Sequence, residues 1–126
     1  MLESYPNLFT PMLLGKQRFR NRIAFAAVMS VCARDGDVTP ELITFHANRA
    51  AGGASLIVTE PVSALRSTPA FGPQVRVYQR KNIEGLRRWA SAVHDHSSGI
   101  VAQLQDSGRG NLRVQRKPFS LAPSSL

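Results

Sequence analysis

Three short apolar runs separated by stretches of helical periodicity limit this fold more than any single residue does. Residues 22–28 (RIAFAAV), 55–60 (SLIVTE) and 100–104 (IVAQL) are too short for typical helices and suit buried strands. Between the first two, Thr39 and Pro40 read as an N-cap and first helical residue. Leu42, Ile43, Ala47 and Ala50 supply an apolar face, and Gly52 and Gly53 end the helix. Pro61 ends the second strand in this reading. Ile83, Leu86, Trp89, Ala90 and Val93 then fall at helical spacing between Asn82 and Ser97, and Gly99 stops that helix. Ahead of the first run, residues 12–14 and 17–19 flank Gly15 and Lys16 and predict a short hairpin.

Strands alternating with helices require right-handed crossovers and a parallel sheet covered by helices. A doubly wound open sheet and a (β/α)8 barrel both satisfy that pattern. The doubly wound nucleotide fold places G-x-G-x-x-G after its first strand, whereas VMSVCARDGD follows here. The barrel is favoured, and barrels place function at the C-terminal ends of their strands. Those ends are Ala26, Ala27 and Val28, then Thr59 and Glu60, then Gln103. Small side chains let a flat heteroaromatic ring approach backbone N–H groups, and a glutamine amide both donates and accepts.

Composition narrows the classes further. With 126 residues, 43% of them hydrophobic, the chain holds one domain or a piece of one. The single cysteine, Cys32, excludes an internal disulfide framework, and no Cys or His cluster gives a metal pattern. No run reaches the roughly 18 apolar residues of a membrane span, and MLESYPNLF lacks the plan of a signal peptide, so a cytoplasmic location is expected. The net charge of +8 raises nucleic acid as a partner, but the basic residues are spread along the chain. Only residues 109–117 (RGNLRVQRK) form a local patch, and no nucleic-acid-binding motif accompanies it. Solvated surface charge is the preferred reading, with no nucleic-acid partner. His46, His94 and His96 read as helix-surface residues, and Cys32 as a quiet thiol near a strand top.

Several segments, in order, resemble the Old Yellow Enzyme family of NADH:flavin oxidoreductases, which includes bacterial dienoyl-coenzyme A reductases. The family opening LF-x-P-x-x-LG matches LFTPMLLG at 8–15, and NRI follows at 21–23. The family's D-G-x-x-T matches Asp35, Gly36 and Thr39, and R-A-x-G-G-x-x-L-I-x-T-E matches residues 49–60. I-x-G-L-R matches 83–87, Q-L-x-x-x-G-R matches 103–109, and APSS at 122–125 resembles the segment leading to a fourth strand.

The resemblance implies the N-terminal part, residues 1–126, of a single FMN-binding barrel domain, comprising the hairpin and about three βα units. It implies an FMN reduced by NADH or NADPH and a hydride delivered to an activated alkene or related small-molecule acceptor. Ala26, Ala27 and Val28 would contact the flavin ring chiefly through backbone atoms, and Gln103 would hydrogen-bond its pyrimidine edge. Glu60 is open between a flavin-side polar network and a structural pair with an arginine, and Arg109 between a ligand contact and a salt bridge. Met29 stands where many members carry Thr or Cys, Pro61 where a small residue is common, and Asp106 where His is usual. The family's substrate-anchoring pair falls beyond residue 126, so no catalytic residue is expected here and the chain alone is expected to be inactive. A barrel typically needs about 250 residues, so this one is expected to be incomplete, with an open parallel edge through which self-association is expected. A noncatalytic barrel fragment is therefore the alternative function, and a basic nucleic-acid binder the third.

Overall fold

A computed structural model describes residues 5–66 and 73–106. The order is α1 (Pro6–Phe9), β1 (Met12–Leu14), β2 (Gln17–Phe19), β3 (Ala24–Phe25), α2 (Pro40–Ala51), β4 (Leu56–Ser63), a 3-10 turn (Arg80–Asn82), α3 (Ile83–His94) and β5 (Gly99–Gln105). The hairpin β1–β2 forms as expected around Gly15, whose φ of 60° suits a residue without Cβ. The short helix α1 was not anticipated. Strands β3, β4 and β5 make a parallel sheet in sequential order, with Ala24 beside Leu56 and Leu56 beside Gly99.

Both long helices cover one face of that sheet. Leu42 of α2 and Trp89 of α3 share a core with Ala33, Val38, Val62 and Val75. Ala50 and Val93 pack with Ile57 and Ala54 in a second cluster. Thr39 caps α2 as its sequence predicts, accepting from Leu42 N at 3.1 Å, while its own hydroxyl donates to Cys32 O at 2.7 Å. Each fully buried Leu or Val side chain contributes about 1.5–3 kcal/mol, and because these lie between helices and sheet they leave the other sheet face open.

Three boundaries differ from the expectation. The first strand is only Ala24–Phe25, because residues 26–28 leave the ladder before the run of apolar residues ends. The second strand does not end at Pro61 but runs to Ser63. Its pairing shifts between Val58 and Pro61, and at such a bulge the missing proline N–H costs no ladder bond. Gly99 begins β5 rather than ending α3; the helix stops at His94, and the turn at Ser97 has a φ of 54°. The basic stretch at 109–117, Arg109 and the APSS segment lie outside the described residues.

Candidate functional site

The lower rim, where the strands begin, is closed by hydrogen bonds from the NRI region. Asn21 Nδ2 donates to Gly53 O at 2.8 Å while its Oδ1 accepts from Ile23 N at 3.0 Å. Arg20 donates to Ala50 O at 2.8 Å, satisfying a carbonyl at the end of α2. Gly99 passes so close to Phe19 that an added Cβ would lie 2.9 Å from its ring. The motif residues at this end hold the scaffold together.

The upper rim is built differently. Along residues 24–28 exposure alternates: Ala24, Ala26 and Val28 are open, whereas Phe25 and Ala27 are half-buried. Phe25 and Ile57 pack under the helices. The open positions therefore share the uncovered sheet face with Val101, which is 52% exposed, and with Gln103, two residues further along β5. Gln103 is exposed and pairs in register with Pro61. Ala26, Val28 and Gln103 thus border the same open face, with β4 between them; the half-buried side chain of Ala27 does not.

The bulge sets the chemistry of β4. Val58 lies beside Val101 and Pro61 beside Gln103, so Thr59 and Glu60 together face the single residue Ala102. Thr59 Oγ1 accepts from Gln103 N at 3.2 Å and donates to Glu60 O at 2.8 Å, fixing the backbone that carries the Gln103 amide. Alternation from Leu56 and Val58 would put Glu60 on the open face, but the extra residue redirects it. Glu60 is 0% exposed, and its Oε2 accepts from Ser30 N at 2.8 Å and from the Ser30 hydroxyl. Among the described residues no arginine pairs with it, and its Oε1 is buried without a hydrogen-bond partner.

Next to Ser30 the backbone is strained. Val31 has a φ of 60°, a conformation a β-branched residue adopts at a cost of about 1–3 kcal/mol. Arg34 Nη1 donates to Val31 O at 2.9 Å, and Cys32 N donates to Ser30 Oγ at 3.2 Å. Cys32 is half-buried, its thiol 3.5 Å from Ser30 O. Asn82 Nδ2 anchors the far end of this loop on Gly36 O at 2.7 Å, and Gly36 has a φ of 84°, a conformation that disfavours any residue with a Cβ.

Beneath the rim lies His46, and here the expectation of a surface histidine is overturned. It is fully buried among Phe25, Phe45 and Trp89, with centroid separations of 6.1, 5.1 and 5.1 Å. The residue falls on the same α2 stripe as Leu42 and Ala50, so helical periodicity carried the signal. Burial holds its pKa below 6.5, opposed by the Leu42 carbonyl and the Glu60 charge and reinforced by Arg49. Its Nδ1 lies 3.2 Å from Leu42 O, which selects the tautomer protonated there. Arg49 itself sits 3.5 Å from the Phe45 ring centroid and donates to Phe45 O at 2.9 Å. His94 and His96 are exposed, the latter beyond the end of α3. Among the described residues no group of three or more His, Cys, Asp or Glu could hold a metal ion, and no helix is long and apolar enough to cross a membrane.

A sequential parallel sheet with both helices on one face and an open rim at the strand ends has a counterpart among known proteins. The family model described as NADH:flavin oxidoreductase / NADH oxidase matches residues 7–124. The chain belongs to that family. It is 39% identical over 119 residues to a metal reductase from Desulforamulus reducens, covering 94% of this chain and 18% of that protein. It is 33% identical over 120 residues to a 4,4'-dithiodibutanoate disulfide reductase from Rhodococcus erythropolis, covering 95% and 30%. Among solved structures, the old yellow enzyme homologue from Zymomonas mobilis superposes with a TM-score of 0.81 at 28% identity, covering 96% of this chain and 34% of that one. The sheet is therefore part of an Old Yellow Enzyme barrel, and the chain spans a third or less of two of these relatives and slightly over a third of the third.

Proposed function

We propose that residues 1–126 are the flavin-facing first part of a single FMN-binding barrel domain, in an oxidoreductase passing a hydride from NADH or NADPH to an activated alkene or related small-molecule acceptor. The observation that carries this reading is the convergence of Ala26, Val28 and Gln103 on one open sheet face at the strand ends, in a chain of the NADH:flavin oxidoreductase family. When bound, FMN supplies the electron-accepting and hydride-donating ring. The residues of this chain position it. The small side chain of Ala26 lets a planar ring lie against the backbone of residues 26–28, whose N–H and C=O groups would bond its edge. The Gln103 amide, held through Thr59, offers a donor and an acceptor to the pyrimidine side. Met29, 37% exposed beside that surface, adds a polarisable thioether and no hydrogen-bond donor. Pro61 offers no N–H and supplies shape alone.

A titration of the purified chain with FMN, followed by flavin fluorescence and the visible absorption bands, tests this reading. Saturable binding at one flavin per chain is the expected result. A folded chain that leaves the flavin spectrum unchanged would show that these residues do not make a site by themselves.

A second reading is favoured by β5, which pairs only with β4 among the described residues and exposes Val101 and Leu104 at 52% and 66%. In it, the chain is a noncatalytic fragment that associates with a second copy through this edge. Sedimentation of the flavin-free chain at micromolar concentration distinguishes the two, since association predicts a concentration-dependent dimer whether or not FMN binds.

A further inference from the structure

We propose that Glu60 is a positioning residue that clamps the loop carrying the flavin-facing backbone, rather than a group that touches flavin itself. The flavin part of this inference rests on the reading above; the clamp does not. Strand pairing of β3 ends at Phe25, and the next side-chain hydrogen bond to that stretch is the one Glu60 accepts from Ser30 N at 2.8 Å. The same oxygen also accepts from the Ser30 hydroxyl, whose oxygen in turn accepts from Cys32 N at 3.2 Å. One carboxylate oxygen thereby satisfies the backbone on one side of Val31 directly and, through Ser30, on the other.

Val31 needs that support. Its φ of 60° is unfavourable for a β-branched residue, and at 53% exposure its side chain gains little from burial that would compensate. Glu60, by contrast, is wholly buried at the β4 bulge and has no arginine or lysine partner among the described residues. A leucine at this position would fill the same space without desolvating a carboxylate. What a leucine lacks is an acceptor for Ser30, so the carboxyl group is explained by the loop it holds. The bulge that turns Glu60 inward is the same one that lets Thr59 reach Gln103. A single irregularity in β4 therefore positions both sides of the open face.

The test uses the full chain with Glu60→Gln, Glu60→Ala and Ser30→Ala, first without flavin. Amide hydrogen exchange is read at residues 26–32 and, as an internal reference, in α2 and α3. Glu60→Ala is expected to speed exchange at 26–32 about tenfold or more while the helices keep their protection. Glu60→Gln, whose carbonyl still accepts, is expected to restore most of it. Exchange at 26–32 unchanged in Glu60→Ala, or raised equally in the helices, would overturn the clamp. Should Glu60→Ala fail to fold, Ser30→Ala decides: a rise confined to residues 30–32 supports the clamp, and none sinks it. The flavin arm is separate. If the wild-type chain binds FMN, Glu60→Ala should weaken binding and Glu60→Gln should not, whereas equal affinity for all three would show that the loop does not serve the flavin. If the wild-type chain does not bind FMN, the site reading fails while the exchange result still judges the clamp.

Discussion

The two rims of the sheet are built from the same strands and obey opposite rules. At the lower rim, Asn21, Arg20, Ser55 and Ser98 satisfy the backbone where helices end and strands begin. At the upper rim a valine sits in a left-handed conformation, a buried carboxylate oxygen lacks a partner and a glutamine amide stands open. Stability is concentrated where the chain enters the sheet, and unsatisfied chemistry where it leaves. This division is the one barrel enzymes use, because the ends of several strands can then vary without loosening the core.

The contrast is testable first where the effect should be largest. Asn21→Ala removes the donor to Gly53 O and the acceptor of Ile23 N at a position only 7% exposed. Orphaning these groups should cost about 2–3 kcal/mol in urea denaturation, and a loss under about 0.5 kcal/mol, the scale of an ordinary surface substitution, would remove the lower rim's claim to hold the scaffold. Thr39→Ala tests how the upper loop is tied to the helix that follows it, since its hydroxyl caps α2 and also bonds Cys32 O in that loop. Loss of the cap should cost about 1–2 kcal/mol, with added mobility at residues 30–33 by hydrogen exchange. If stability falls but the loop stays protected, the upper loop is held independently of the helix.

A gradual effect should follow from His46. Burial depresses its pKa below 6.5 in the folded chain, so the unfolded chain binds the proton first as the solution is acidified. The contribution is complete above 6.5, declines as pH falls through that value and levels off below the folded-state pKa. Glu60 and Arg49 act on it in opposite directions, so denaturation midpoints between pH 8 and 5 should fall less steeply once His46→Gln has removed the titrating group. An unchanged slope would place the pH response elsewhere.

How much of this was legible in the sequence differs by rim as well. The caps of α2, the hairpin, both long helices and the order of the strands followed from local chemistry: Thr39 with Pro40, glycines at turns, and apolar periods. The end of β4 did not, because Pro61 reads as a stop. A proline inside a β-branched run also marks a bulge, and only tertiary pairing separates the two. That one misreading hid the turn of Glu60 toward Ser30 and the Thr59 bond to Gln103. His46 was missed for a different reason: histidine is polar by type, and its place on the apolar stripe of α2 was outweighed. The open-face positions Ala26, Val28 and Gln103 were recognisable from strand ends and family motifs together, whereas nothing local announced Ser30 or the backbone of Val31.

The smallest stability effect should come from the residue on which the site reading leans most. Gln103 is exposed, and its backbone N–H, not its side chain, makes the bond to Thr59. Gln103→Leu should therefore move unfolding by no more than about 0.5 kcal/mol. It should weaken FMN binding about tenfold, the value of one hydrogen bond of about 1.4 kcal/mol. Thr59→Val complements it by leaving the amide in place and deleting the hydroxyl that positions its backbone. If the upper rim works as a preorganised surface, both variants lose affinity, but only Thr59→Val, which orphans the Gln103 N–H, also loses stability. Equal stability losses in the two would mean that the Gln103 side chain is part of the scaffold, and the separation between the two rims would fail at its most exposed point.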